Sequence, residues 1–161
     1  RLNLAKQNDA VDFAINPKEG SPAEIIKDLT ANSGADVVIE ASGSTSALHE
    51  AIRSAAYSSR VVVLGFIQGG AEALYLEDEF HHNRIQLICS QIGGIAPELS
   101  SRWDRIRLIR TILDLQEKGD LDLGHLITHK VPFERAEEAY KLLDEKPEEA
   151  LLVVLDFLNE A

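Results

Sequence analysis

Two β-branched runs in this chain each end in residues with little or no side chain. Asp36-Val37-Val38-Ile39-Glu40 leads into Ala41-Ser42-Gly43-Ser44, and Val61-Val62-Val63-Leu64 leads into Gly65-Phe66. A strand followed by small residues lets a ligand approach backbone N–H and C=O groups. In parallel α/β sheets that place, just beyond the carboxyl ends of the strands, is where ligands lie. The same spacing also suits two ordinary strand-to-helix turns, and spacing alone leaves both readings open.

Other reactive residue types have a less chemical reading. His81-His82 beside Glu77, Asp78 and Glu79 offers metal ligands, but adjacent side chains diverge on most backbones and a solvated turn accounts for them. His125 and His129 have the spacing of two ligands on one helical face, yet the residues between them and Pro132 read as extended. Cys89, the one cysteine, lies in an apolar run and is expected to be a buried, inert thiol. Arg102, Arg105, Arg107 and Arg110 lie on one helical segment and read as a solvated, ion-paired face. A Tyr-x-x-x-Lys acid–base pair is absent, because Tyr57, Tyr75 and Tyr140 are followed four residues on by Val61, Glu79 and Asp144.

The elements that must position these residues alternate. Arg1 to Asn8 reads as the end of an amphipathic helix, and Val11 to Asn16 as a short strand stopped by Pro17. Ser21-Pro22-Ala23-Glu24 is a helix start with a capping serine, a proline at the first helical position and the acid of a capping box. That helix ends near Ser33-Gly34. Residues 36–40 form a buried strand, Thr45 to Ala56 a helix, Arg60 to Phe66 a strand, and Ile85 to Ser90 another strand. Ser101-Arg102-Trp103-Asp104 starts a long helix to about Lys118, with a stripe of Trp103, Ile106, Ile109 and Leu113, stopped by Gly119. A short extended piece (Ile127 to Val131), a helix (Phe133 to Leu143) and a strand (Leu151 to Phe157) complete the chain. This order predicts an α/β fold with a mostly parallel sheet. The expected division is 1–119 and 120–161.

The chain has 161 residues, 45% hydrophobic and 27% charged, the balance of a folded globular protein. No apolar run reaches the ~18 residues of a membrane span, and no secretory leader is visible. One cysteine excludes an internal disulfide framework and fits a reducing, cytoplasmic setting. A net charge of −11 repels phosphate backbones and argues against nucleic-acid or anionic-membrane partners. The absence of methionine and the uncapped opening helix lead to the expectation of a piece of a longer protein.

Gly34 to Gly43, then Gly65-Phe66, then Leu126-Ile127-Thr128-His129-Lys130-Val131-Pro132-Phe133-Glu134 followed by Ala136 to Leu143, occur in the order and spacing of one family. The chain resembles the medium-chain dehydrogenase/reductases, the zinc-type alcohol dehydrogenases. Glu79 to Arg84 followed by Ser90-Gln91 is similar to the bacteriochlorophyllide-dehydrogenase branch. The resemblance runs end to end and implies a partial Rossmann-type doubly wound parallel sheet lacking its first two strands, with a short C-terminal αβ return. It implies NAD or NADP as cofactor, with the nicotinamide half lined by Ala41, Ser42 and Gly43, by Leu64, Gly65 and Phe66, and by Cys89, Ser90 and Gln91. Glu40 is then a structural or ribose-side acid rather than a catalyst. Zinc, in the parent protein only, would act on a small alcohol or ketone, and the parent would form a homo-oligomer, with residues 74–87 self-associating. The family's zinc ligands and its Gly-x-Gly-x-x-Gly phosphate loop are not found in this sequence, and Leu151 and Leu152 stand where some members carry a basic residue. Cofactor binding by this chain alone is therefore expected to be weak or absent. The alternative is a non-catalytic folded fragment with a structural or assembly role. If the strand at 11–15 follows the family, its neighbours are missing, and the expectation is that it pairs directly beside Val37 to Ile39.

Overall fold

A computed structural model describes residues 1–7 and 11–158. In chain order the elements are α1 (Leu2–Gln7), α2 (Pro22–Leu29), β1 (Ala35–Glu40), α3 (Thr45–Ser54), β2 (Ala55–Val63), α4 (Glu79–His82), β3 (Gln86–Cys89), α5 (Arg105–Glu117), β4 (Ile127–Pro132), α6 (Ala136–Glu145) and β5 (Leu152–Asp156). The chain divides into two units, one of Phe13–Gly93 and one of Arg1–Asp12 with Gly94–Ala161. Asn8, the expected end of the first helix, lies outside the described residues.

In the first unit β1, β2 and β3 form a parallel sheet in that order. Val38 pairs with Val61 and Val61 with Leu87, while Glu40, Val63 and Cys89 stand side by side at the carboxyl end. Leu48, Ala51 and Ile52 of α3 pack on one face against Ala55, Val61 and Ile85, with Val38, Val63, Ile67, Leu74 and Phe80 around them. The opposite face is open: Val37, Ile39 and Ile88 are 49%, 61% and 40% exposed.

Helix α2 begins as its sequence predicts, with the Ser21 hydroxyl accepting from the Glu24 N–H. The Glu24 carboxylate does not close the capping box; it pairs with Arg53 at 2.5 Å. Arg53 of α3 is a hub. Its guanidinium also donates to Glu50 at 2.8 Å, to the Ser21 hydroxyl at 3.2 Å and to Glu79 at 3.2 Å. Glu50 in turn accepts from the Ser21 hydroxyl and the Ala23 N–H. Burial by itself would raise the Glu50 carboxyl, but the donors from Ser21, Ala23 and Arg53 outweigh it and hold the group below its ordinary range. Glu79 behaves alike: burial is outweighed by a backbone N–H and by Arg53 and Lys27. The start of α2 is thereby tied to α3 and α4.

That tie corrects the expectation for the segment before it. Residues 11–16 form no strand and pair with nothing in the sheet, and β1 is bonded only to β2. A crossover laying 11–15 beside β1 would carry α2 over β1; instead Glu50 and Arg53 hold α2 against α3. A cavity of about 720 Å³ opens along the outer edge of β1, walled by Pro22 and Ile26, by Val38 and Ile39, and by Ala47 and Ala51. A second correction concerns α3, which stops at Ser54. Ala55 is already in β2, opposite Ala35, and a register shift follows, so that Val37 faces Arg60. Ser58, with φ 60°, lies in the intervening bulge. Gly34 allows the crowding at this place: with φ +81°, a Cβ there would lie 2.8 Å from the carbonyl carbon of Ala55.

In the second unit β4 and β5 form a separate parallel pair joined through α6. Its buried apolar residues among those described are Ala139 and Ala150. Arg1 donates to the Pro147 carbonyl at 2.5 Å and the Ala150 carbonyl at 3.0 Å. Phe133 stacks on Phe157 at 4.5 Å, just beyond the two strands. The stripe on α5 is present as helical spacing, but it is not a core: Ile106, Ile109 and Leu113 are 63%, 51% and 57% exposed. Tyr140 and Leu143 on α6, also expected to pack, are exposed too. Helical periodicity marks a face able to be covered; it does not supply the cover.

Candidate functional site

The carboxyl ends of β1, β2 and β3 lie next to one another, and each expected site residue follows one of them. Ala41, Ser42 and Gly43 follow β1, Leu64, Gly65 and Phe66 follow β2, and Cys89 ends β3 before Ser90 and Gln91. Strand order and parallel pairing bring the three segments together from positions far apart in sequence.

Glu40 organises this end of the sheet. It is 4% exposed, the one buried acid among the described residues. Its Oε1 accepts from the Ser42 N–H at 2.6 Å, the Ser42 hydroxyl at 2.6 Å and the Gly43 N–H at 3.0 Å. Its Oε2 lies 3.3 Å from the same Gly43 nitrogen. The Glu40 main-chain carbonyl accepts from Leu64 and Gly65 at 2.8 and 3.1 Å. One residue thus bonds to both of the first two turns.

The two glycines meet across that contact. A Cβ on Gly65 would lie 2.6 Å from Glu40 Oε2 and 2.7 Å from Gly43 Cα, and a Cβ on Gly43, at φ +74°, would lie 2.6 Å from the Phe66 carbonyl oxygen. The missing side chain of Gly65 therefore makes room for Gly43 and Glu40.

Several donors at the ledge are already taken. Ser42, Gly43, Leu64 and Gly65 donate to Glu40, and Ser90 donates to the Val63 carbonyl at 2.9 Å. Among the described residues no hydrogen-bond partner takes the N–H of Ala41, Phe66 or Gln91, so each strand end keeps a free backbone donor. Leu64 and Phe66 are 52% and 82% exposed. Cys89 is exposed as well, against the expectation of a buried thiol, because β3 is the sheet's edge and nothing among the described residues covers its outer side. The cavity beside β1 reaches Ala41 and Ser42 and none of the other seven site residues.

Metal chemistry has no seat among these residues. No group of three or more His, Cys, Asp or Glu side chains among the described residues could hold an ion. His81 and His82 lie on α4 with rings 5.7 Å apart at 79°, and the His82 ring lies against Asp78. His125 is on a 3-10 turn and His129 on β4, so helical i, i+4 geometry does not form. Arg107 lies over the Trp103 ring at 4.5 Å. No described helix is long and apolar enough to cross a membrane.

A parallel sheet with crossover helices and small-residue turns at three adjoining carboxyl ends defines a Rossmann-like α/β domain. The chain belongs to the zinc-binding dehydrogenase family, whose model matches residues 1–108. It is 32% identical over 158 residues to D-guloside 3-dehydrogenase of Escherichia coli K12, covering 98% of this chain and 45% of that protein. It is 31% identical over 144 residues to L-threonine 3-dehydrogenase of Pyrococcus furiosus, covering 89% of this chain and 38% of that protein. An alcohol dehydrogenase of E. coli CFT073, solved with NADH, shares the fold with a TM-score of 0.72 at 22% identity, over 97% of this chain and 41% of that one. The chain spans less than half the length of the curated relatives it matches.

Proposed function

We propose that this chain supplies the nicotinamide side of the cofactor site in an NAD(P)-dependent dehydrogenase that oxidises a small secondary alcohol to a ketone. The observation that supports this most is the row of three adjoining strand ends, each with a free backbone donor, at Ala41, Phe66 and Gln91. Donors so placed suit the carboxamide of a nicotinamide ring, and the exposed Phe66 ring offers a flat apolar wall beside it. The cofactor, when bound, accepts or gives the hydride; the chain's part is to orient the ring and exclude water from one side. The relatives named as 3-dehydrogenases act at ring or chain secondary positions by their names, which favours a secondary alcohol. Among the described residues no group of three or more His, Cys, Asp or Glu side chains is gathered for zinc.

The same reading includes weak dinucleotide affinity for residues 1–161 alone, since no Gly-x-Gly-x-x-Gly loop holds the pyrophosphate and the net charge of −11 opposes an anion. It also includes a cytoplasmic setting and a homo-oligomer. The open outer edge of β3, with Leu87 and Ile88 exposed, supports self-association. Titration of the isotope-labelled chain with NADH tests the site. Amide shifts centred on Ala41, Phe66 and Gln91 support it, whereas shifts confined to other residues, or none at millimolar cofactor, overturn it.

A further inference from the structure

The strand-end ledge has more backbone donors than it presents, and one side chain decides which remain free. We infer that Glu40 is a positioning residue whose carboxylate and carbonyl take the N–H groups of Ser42, Gly43, Leu64 and Gly65, leaving Ala41 and Phe66 as the donors the first two strand ends offer to a ligand. This rests on the nicotinamide reading above for the identity of the ligand, but not for the hydrogen-bond pattern itself.

Three features point the same way. Glu40 is almost fully buried, and a buried carboxyl group needs hydrogen-bond partners of its own, which the neighbouring donors supply. Three donors converge on one of its oxygens, two at 2.6 Å and one at 3.0 Å. The second oxygen touches the space above Gly65, so the carboxylate also keeps the two turns in register. Removing it would free the Ser42 and Gly43 N–H groups and loosen both turns at once. A solvent-facing acid at this position could do neither.

The test uses the labelled 161-residue chain with Glu40→Gln and Glu40→Ala. Glutamine keeps one acceptor oxygen; alanine keeps none. In Glu40→Ala, exchange of the Ser42 and Gly43 amides should quicken by about tenfold or more while the Val61–Val63 amides stay protected, with Glu40→Gln in between. Reduced nicotinamide mononucleotide is the second probe, and its dissociation constant should rise about tenfold in Glu40→Ala and less in Glu40→Gln. Unchanged exchange at Ser42 and Gly43 overturns the inference, as does unchanged affinity in a variant whose exchange has quickened. If alanine prevents folding, intermediate exchange in Glu40→Gln supports the inference and wild-type exchange overturns it. No shift in the wild-type chain with the mononucleotide overturns the nicotinamide reading instead, and the exchange result still decides the donor pattern.

Discussion

At the scale of single residues, Gly65 and Phe66 are neighbours with opposite roles. Gly65 lies where Glu40 and the Gly43 backbone leave no room for a Cβ. Phe66 is 82% exposed and holds no packing together. Gly65→Val should therefore destabilise the chain by about 2 kcal/mol or more, because a strand end and a turn must both move. Phe66→Ala should change stability by about 0.5 kcal/mol or less and still weaken nicotinamide binding, because the ring lost is a wall of the proposed site. Urea midpoints for both variants, with a titration for the second, separate the roles. A stable Gly65→Val would show that the two turns are further apart than their contact here implies, and full binding by Phe66→Ala would remove the ring from the site.

Among the elements, the Arg53 hub fixes α2, α3 and α4 to one another. Arg53, Glu50 and Glu79 are 24%, 27% and 18% exposed, so solvent weakens their attraction without abolishing it, and Arg53→Met should cost about 1–3 kcal/mol. The pH dependence has a definite sign. Both carboxyls are held below their ordinary value of 4.5 in the folded chain, so the stability they contribute is complete above that value. It is lost as pH falls through the lowered folded values. Unfolding followed from neutral to acid pH should show a loss of stability below pH 4.5 that is smaller in Arg53→Met; equal slopes would mean the hub does not hold the carboxyls down. None of the bonds between helices was readable in sequence, because Ser21 and Glu24 start α2, Arg53 lies on α3 and Glu79 on α4, and Glu24, Arg53 and Glu79 each alone resemble a solvated polar residue. What was readable is local. The Ser21-Pro22 start, the valine runs of β1 and β2 and the strand ends at Ala41, Leu64 and Cys89 carry their signal within a few residues. The segment 11–16 has strand-like alternation but lost its partner to the tertiary tie on α2, and Ala55 joined β2 because Ala35 lies opposite it. Glu40 could be placed at a strand end from sequence; the four N–H groups it binds could not, since they depend on two turns meeting.

At the scale of the whole molecule, each unit by itself leaves apolar faces uncovered among the described residues. One face of the β1–β3 sheet is open at Val37, Ile39 and Ile88, and α5 exposes Ile106, Ile109, Ile112 and Leu113. Among the described residues the buried apolar side chains are unevenly divided: Leu48, Ile52, Val61 and Ile85 are in the first unit, while the second buries Ala139 and Ala150. Apolar burial at about 25 cal/mol per Å² is the main favourable term in folding, so two alanines contribute little beside four large side chains. A thirteen-residue helix such as α5 is marginal without a packed face. In the isolated chain, amide exchange should accordingly be slowest at Val61–Val63, with the amides of α5 exchanging about a hundredfold faster or more and those of α6 in between. Exchange followed by mass spectrometry on peptides from β2, α5 and α6 measures the order. Protection of α5 equal to that of β2, and independent of protein concentration, would mean that its apolar face is covered within one chain. Protection that grows with concentration would show that a second copy covers it, and that the open faces are where this chain associates.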